Sequence, residues 1–484
     1  MIQYAINGDT NKIRYRTDEV RDQGGTMHVS ATEWLAESLS DLGYDALPLP
    51  VVERARECVL DSIGCMLAGS RIAEIRTPVD LVLHLAQSTG AAVPGLSGRY
   101  PAPFAAYAAA QFANGIDADD TVLGVGHPGA AVIGAALALA QTERSSSDDL
   151  FLAVVTGYEV AIRIGRSITP SPARAEQVRG HSWAVFGAAA AAAKLLRLDT
   201  ARIATALGLA AQHALVPFVG KWYERPITGL KNNYGWAAAG GVLAALYAAH
   251  GVPGTPRVLD GDSGFWAMAG SDRWRPELVI DRAETSFAIL DVEFKPYACC
   301  RYLHTVLDAL DSIRAQFGDA IHPDSIRTIT VRSGRMIERF ADYEPRSILD
   351  AQFSLPYVVS LHVSGCSLLN SSFVPGRFDH LMRRVQIEVD PEMDRHATLR
   401  HLPARVEVGL KTGTRLVAES ATPPGGPDRP LDAAFLRAKF LALAVPVVGE
   451  QRAQHLVSVL QDPTRSVTAD ELSQLFRVGD EGAS

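Results

Sequence analysis

AVFGAAAAAAKLLRL at residues 184–198 and TARIATALGLAAQHA at 200–214 are apolar nearly all the way round a helical wheel. A helix of that kind cannot lie on a surface, where one face meets water. It belongs inside a bundle, with neighbours on several sides. Alanine is the strongest helix former, and its small side chain lets helices approach closely. Two such helices in succession predict a large helical domain with buried interior helices.

The flanking sequence extends this reading. VVERARECVLDSIGCMLAGS (51–70) places Val52, Ala55, Val59, Ile63 and Met66 at three- and four-residue spacings, an amphipathic helix ended by Gly69. FAAYAAAQFANGI (104–116), GAAVIGAALALAQ (129–141) and DDLFLAVVTGYEVAIRIGRSI (148–168) continue the pattern. The last carries Asp148 and Asp149 in its first turn, where the helix dipole favours negative charge. The character changes after Pro296. SIRTITVRSG (325–334) and RRVQIEVDP (383–391) alternate apolar and polar residues as half-buried strands do, and RVEVGLKTGTRLVAES (405–420) reads as a hairpin around a Thr-Gly turn. Helical patterns at 302–317 and 351–363 lie between them. A Pro/Gly-rich linker, TPPGGPDRP (422–430), precedes a helical tail that is expected to return to the first domain.

A chain of 484 residues exceeds one ordinary core. The expected class is therefore mainly α with an α+β second domain. Residues 29–294 and 428–484 form the helical domain and 295–427 the α+β domain. Residues 1–28 form a disordered extension, within which Met27 offers an alternative start. That polar N-terminal stretch does not resemble a signal peptide.

Composition removes several classes of function. A formal charge of −8 disfavours nucleic acid and anionic membranes as partners. Five cysteines without a CxxC spacing give no zinc ribbon or iron–sulfur site and suit a reduced, cytoplasmic protein. No apolar run reaches the roughly 18–20 residues that span a bilayer. Neither a G-x-G-x-x-G after a strand nor a Walker-type phosphate loop is present.

The segment NGIDADDTVLGVGHPGAAV (114–132) gathers Asp117, Asp119, Asp120, Thr121 and His127 between two helices. Clustered carboxylates hold a histidine in one tautomer and raise its basicity. Pro128 suits the first turn of a helix, so His127 falls near a helix N-terminus, where N–H groups attract carboxylates. The same pattern also describes an acidic surface loop with a capping histidine. His181, in GHSWAVFGAAAA (180–191), precedes a buried helix, a place that equally suits a cap or core group. KWYERPITGLKNNYGWAAAGG (221–241) carries Lys221, Arg225 and Lys231. FKPYACCRYLH (294–304) places Lys295, Tyr297, Arg301, Tyr302 and His304 at the expected domain junction, where ligands commonly bind. Two histidines and several cations, without a metal-ligand spacing, suit acid–base work on a small anion.

Taken together, in this order, these segments resemble the MmgE/PrpD family. They include ERARECVLDSIGCMLAGS, GYEVAIRIGRSI, GHSWAVFGAAAAAAKLLRLD, KPYACCRYLH and AQFSLPY, and span residue 30 to the C-terminus. The resemblance implies a helical domain with an inserted α+β lid, a homodimer, and no cofactor or metal. It places the family's active-site Asp, Thr and His on Asp117, Thr121 and His127, its second histidine on His181, and its cations on Lys231 and Lys295. Tyr297 and Arg301 join them as expected substrate-binding residues. Two features depart from the family's pattern. Val122 stands where many dehydratases have His, and the lid Tyr of the decarboxylases has no counterpart in register, Tyr343 being nearby.

The implied activity is a cofactor-independent lyase acting on a small di- or tricarboxylate, first a 2-methylcitrate dehydratase-like hydro-lyase. In that scheme His127 and His181 share the acid and base roles, and Asp117 orients the loop histidine. Lys231 and Lys295 stabilise developing negative charge. Epimerisation, as by iminodisuccinate epimerases, and decarboxylation use the same groups. A non-catalytic binding protein on this scaffold is the remaining alternative, disfavoured by the full residue set. Trp183, Trp222, Tyr223 and Trp236 are the expected shapers of the pocket.

Overall fold

A computed structural model describes residues 30–174, 183–215, 224–280, 287–318, 321–367, 369, 373–398, 400–462 and 465–479. The expected N-terminal extension lies outside these residues, as do His181, Lys221, Trp222 and Tyr223.

Helices dominate up to residue 280. They are α1 (Ala31–Ser40), α2 (Leu49–Gly69), α3 (Ala73–His84), α4 (Ala102–Ala113), α5 (Pro128–Thr142), α6 (Ser147–Ser167), α7 (Ala184–Leu195), α8 (Thr200–Ala210), α9 (Tyr234–Ala249) and the short α10 (Phe265–Met268). A two-residue antiparallel ribbon, β1 (Ala91–Ala92) with β2 (Arg99–Tyr100), interrupts them. As its composition predicts, α7 is interior: Ala184 to Ala193 are all buried, and α5, α6, α8 and α9 pack around it. The α6–α7 crossing is so close that a Cβ on Gly187 would lie 2.7 Å from the Gly157 carbonyl oxygen. Only glycine fits there without moving a helix. At the start of α6, Ser146 and Asp149 form a reciprocal capping box.

The second part mixes α11 (His304–Phe317), β3 (Ile326–Ser333), α12 (Ile348–Ala351), α13 (Leu355–Val363), α14 (Asp379–Met382), β4 (Val385–Val389), α15 (Pro391–His396), β5 (Ala404–Leu410) and β6 (Arg415–Ser420). The four strands pair in the order β4-β3-β5-β6, parallel only between β3 and β4. Val331 sits opposite Ile387 on one side and Val406 on the other. The β5–β6 hairpin turns at Gly413, whose φ of 92° is the left-handed conformation that glycine adopts at no steric cost. Helix α11 packs on β5 and β6. The mainly α architecture with a smaller α+β part is thus the one the sequence predicts.

Helices α16 (Ala433–Val448), α17 (Glu450–Gln461) and α18 (Ala469–Phe476) close the chain. The first two pack on α2 and the third on α5, so the tail does return to the helical part. We propose on this basis that the domains divide where the sequence reading places them. A buried ion pair fixes the return: Lys439 Nζ of α16 lies 2.6 Å from Asp61 Oδ1 of α2 and donates to the Ala118 carbonyl at 2.6 Å. Burial opposes charge on Lys439, but Asp61 outweighs it and holds the ammonium above its ordinary value. No helix among the described residues is long and apolar enough to cross a membrane.

Lys439→Met leaves Asp61 buried without its partner and should destabilise the fold by about 3–5 kcal/mol. The Asp61→Leu/Lys439→Met double variant should recover much of that loss. Urea unfolding of the three proteins checks both statements.

Candidate active site

Four chain segments converge beside the Ala118 carbonyl. The first is the loop from Asn114, the C-cap of α4, to His127, the N-cap of α5. Asp117 is left-handed at φ 53°, which turns its carboxylate inward. Thr121 makes a two-bond antiparallel bridge to Glu293, at 2.9 and 2.8 Å, and binds the loop to the second segment. Val122 to Gly126 form a tight turn, with Gly124 and Gly126 at positive φ. Pro128 opens α5, and the His127 side chain makes no capping bond. The capping alternative is thereby set aside.

The second segment, 293–304, brings Lys295, which is fully buried. The third, before α9, brings buried Lys231, followed by left-handed Asn232 and Asn233. The fourth joins α12 to α13 and brings Gln352 and Phe353. Lys231 donates to Gln352 Oε1 at 2.7 Å and lies 5.0 Å from the centroid of the Phe353 ring. Gln352 in turn donates to the Gly115 carbonyl at 3.0 Å, tying the α+β part to the loop.

Asp117 sits between the two cations, with Lys295 Nζ 3.3 Å from Oδ2 and Lys231 Nζ 3.7 Å from Oδ1. Burial alone would raise its pKa, but Lys231, Lys295 and His127 together outweigh burial and hold it below its ordinary value. Burial pulls Lys231 below its own ordinary value, against the opposing effect of Asp117. Despite the ion pair, Lys295 Nζ and Asp117 Oδ2 make no hydrogen bond among the described residues. The cluster therefore holds a fully buried ammonium that is paired with Asp117 at 3.3 Å but makes no well-formed hydrogen bond among the described residues.

The imidazole of His127 is set differently from the sequence expectation. Its Nδ1 meets the Asp120 carbonyl at 3.0 Å and Asp119 Oδ2 at 3.3 Å. Both are acceptors, so Nδ1 carries the hydrogen in the neutral ring. Asp117, expected to orient the ring, is 4.0 Å from Nε2 and is engaged by the lysines. Burial opposes the imidazolium, yet Asp119, with a smaller contribution from Asp117, raises His127 above its ordinary 6.5. Tyr234 supports the ring edge-on and accepts the His127 backbone N–H at 2.9 Å. Behind it, burial and then Asp119 push Asp120 up to about 7. Asp120 Oδ2 accepts from Tyr158 at 2.9 Å, in a space that a Cβ on Gly129 would invade.

Other expected residues stand apart from this cluster or have internal partners. Thr121 Oγ1 donates to the Gly126 carbonyl at 3.0 Å. The Arg301 guanidinium is saturated by Glu293, His304 and the carbonyls of Pro423 and Pro424. It cannot also bind a substrate carboxylate, and we read it as structural. Tyr297 donates to Asp311 of α11 at 2.6 Å rather than facing the lysines. Trp183 supports the 122–126 turn through a 2.7 Å bond to the Val125 carbonyl, and Trp236 packs at a tilt against Tyr107, with ring centroids 4.7 Å apart. Val122 is buried in the turn, and Tyr343 donates to the Val385 carbonyl. Sequence reading passed over Asn114, Asn232 and Gln352 as site residues. Each adjoins a chosen motif, in NGIDADDT, LKNNYG and AQFSLPY.

Asp117, Asp119 and His127 approach one another as closely as metal ligands do. Two ammonium groups already occupy the vicinity of Asp117, which opposes a further cation. The set suits an anion carrying more than one carboxylate, placed between the lysines and His127 Nε2.

Residues 33–277 match the MmgE/PrpD N-terminal domain and residues 297–462 the MmgE/PrpD C-terminal domain. The chain belongs to the MmgE/PrpD family. Among curated MmgE/PrpD relatives, the cis-aconitate decarboxylases of Mus musculus and Homo sapiens are each 26% identical to it, over 458 and 457 residues. These alignments cover 90% of this chain and 91% and 92% of theirs. The cis-aconitate decarboxylase-like protein oryM of Aspergillus oryzae is 25% identical over 481 residues, 93% of this chain and 98% of its own.

Asp117→Asn removes the counter-charge from two buried lysines and should cost about 3–5 kcal/mol at neutral pH. Because folding depresses Asp117, its contribution is present above its unfolded value of about 3.8 and is lost as pH falls through the lower folded value. Urea unfolding between pH 2.5 and 7 (a range of about that width suffices) should show a steeper acid loss in the wild type than in Asp117→Asn.

Proposed function

We propose that this chain is a cofactor-independent lyase of a small di- or tricarboxylate. The observation that carries the reading is the buried Lys295–Asp117–Lys231 cluster beside His127, whose Nε2 has no hydrogen-bond partner among the described residues. A substrate carboxylate supplies further acceptors, and a desolvated cation pair stabilises negative charge developing on the adjacent carbon. Its raised pKa favours the imidazolium, and in that form the hydrogen on Nε2 makes His127 the proposed general acid.

Dehydration is the first reading. A base removes the proton next to a carboxylate, the electrons form the double bond, and His127 protonates the departing hydroxyl to release water. His181 is the proposed base, by its order in the sequence, and lies outside the described residues. Decarboxylation is the second reading, favoured by the names of the full-length relatives and by its need for one proton donor only. There the C–C bond breaks, CO₂ leaves, and His127 protonates the carbanion. We extend the proposal to a homodimer.

Incubation with 2-methylcitrate, citrate and cis-aconitate, read by mass spectrometry, separates the two: loss of water supports dehydration and loss of CO₂ decarboxylation. Turnover of none of them contradicts the proposal. His127→Ala should lower kcat by about 10²–10⁴-fold with the fold intact. The wild-type rate should fall as pH rises through a value above 6.5, where His127 loses its proton.

A further inference from the structure

On the Nδ1 side of His127, the hydrogen bond to the Asp120 carbonyl is flanked by Asp119 Oδ2 at 3.3 Å, and the contacts do not end there. Asp119 is fully buried, and its two carboxylate oxygens accept from Asn114 Nδ2 at 3.0 and 3.1 Å. Asn114 Oδ1 then accepts from Asn232 Nδ2 at 2.9 Å. Asn232 follows Lys231 directly and is left-handed at φ 60°, a conformation that asparagine tolerates better than most residues. A continuous side-chain path thus runs from the imidazole to the backbone that carries the catalytic-site lysine.

The polarity of that path is forced. A carboxylate only accepts, so Asn114 must present its NH₂ to Asp119 and its oxygen to Asn232. Among the described residues His127 is the one ionisable donor paired with Asp119, which shares the Nδ1 side with the Asp120 carbonyl. We propose that Asp119, Asn114 and Asn232 are positioning residues, a relay that fixes the Nδ1–H tautomer of His127 and leaves Nε2 to face the substrate. None of the three needs to touch the reacting atoms. The relay rests on the reading of His127 as the proton-transferring group and adds the source of its orientation.

The other groups facing the ring are the Asp120 carbonyl and Asp117 from the same loop, Lys295 from 293–304, and Tyr234 of α9. Asp117 and the lysines act on the Nε2 side, the relay on the Nδ1 side. Replacing one side leaves the other in place. In Asp119→Asn, shape is kept, but one amide oxygen must serve both Asn114 and His127 while an NH₂ faces a donor. Asn232→Gly is gentler, because glycine keeps the left-handed backbone and only the relay's far end is lost.

The test is ¹⁵N-histidine NMR of the full chain without substrate, with the His127 signals assigned by their loss in His127→Gln. In the wild type, Nδ1 should carry the proton in the neutral form, and the ring should titrate above 6.5. In Asp119→Asn the midpoint should fall by about 1 pH unit or more, since a neighbouring opposite charge shifts a pKa by about 1–3 units, and the Nε2–H tautomer should gain population. Asn232→Gly should move both in the same direction by a smaller amount. If Asp119→Asn does not fold, Asn232→Gly decides alone. Unchanged tautomer and midpoint in every folded variant overturn the relay. The titration needs no turnover, so an enzyme inactive on all polycarboxylates sinks the lyase reading and leaves this result standing.

Discussion

The site depends on one carboxylate being shared by two buried ammonium groups. Each of these charges alone is too costly to remove from water, and together they are still unbalanced. Lys231 and Lys295 carry two positive charges against the single negative charge of Asp117. That imbalance is tolerable because Lys231 also bonds Gln352, because Phe353 offers a ring face, and because the carboxylate of Asp119 also favours the charged Lys231. On the proposed reading it also gives the site its selectivity. A negatively charged protein as a whole repels an anion, and a cation-rich interior admits one whose carboxylates complete the pairing.

The rest of the molecule serves to hold that cluster still. The Lys439–Asp61 pair clamps the Ala118 carbonyl from the C-terminal side, between the residues that face the lysines and the imidazole. Gln352 performs the equivalent task from the α+β part, bonding both Lys231 and the Gly115 carbonyl. Three segments widely separated in sequence, around Glu293, Gln352 and Lys439, therefore meet through hydrogen bonds to backbone carbonyls of one short loop.

The fold was legible because periodicity and burial leave local marks. The all-round apolar character of 184–198 announced an interior helix, the alternation in 325–334 and 383–391 a sheet, and the Thr-Gly pair the hairpin. The gathering of Asp117, Lys231, Lys295 and His127 was legible only through the family resemblance, since no spacing rule joins residues 117 and 295. What escaped was the division of labour among neighbouring carboxylates. Asp117 and Asp119 differ by two positions, yet a left-handed backbone at 117 sends one toward the lysines and leaves the other against Nδ1. Arg301 looked like a carboxylate ligand for a similar reason: sequence shows the cation but not that Glu293, two residues before the KPY motif's proline neighbour Lys295, already holds it.

On the proposed reading, the lysine pair is built to receive carboxylates. Calorimetric titration with propane-1,2,3-tricarboxylate, which has no hydroxyl to lose, tests it most directly. Saturable binding to the wild type is expected, with a loss of about 100-fold or more, roughly 2.7 kcal/mol, in Lys295→Met. Equal affinity in the two proteins, or no binding to a folded wild type, would contradict it.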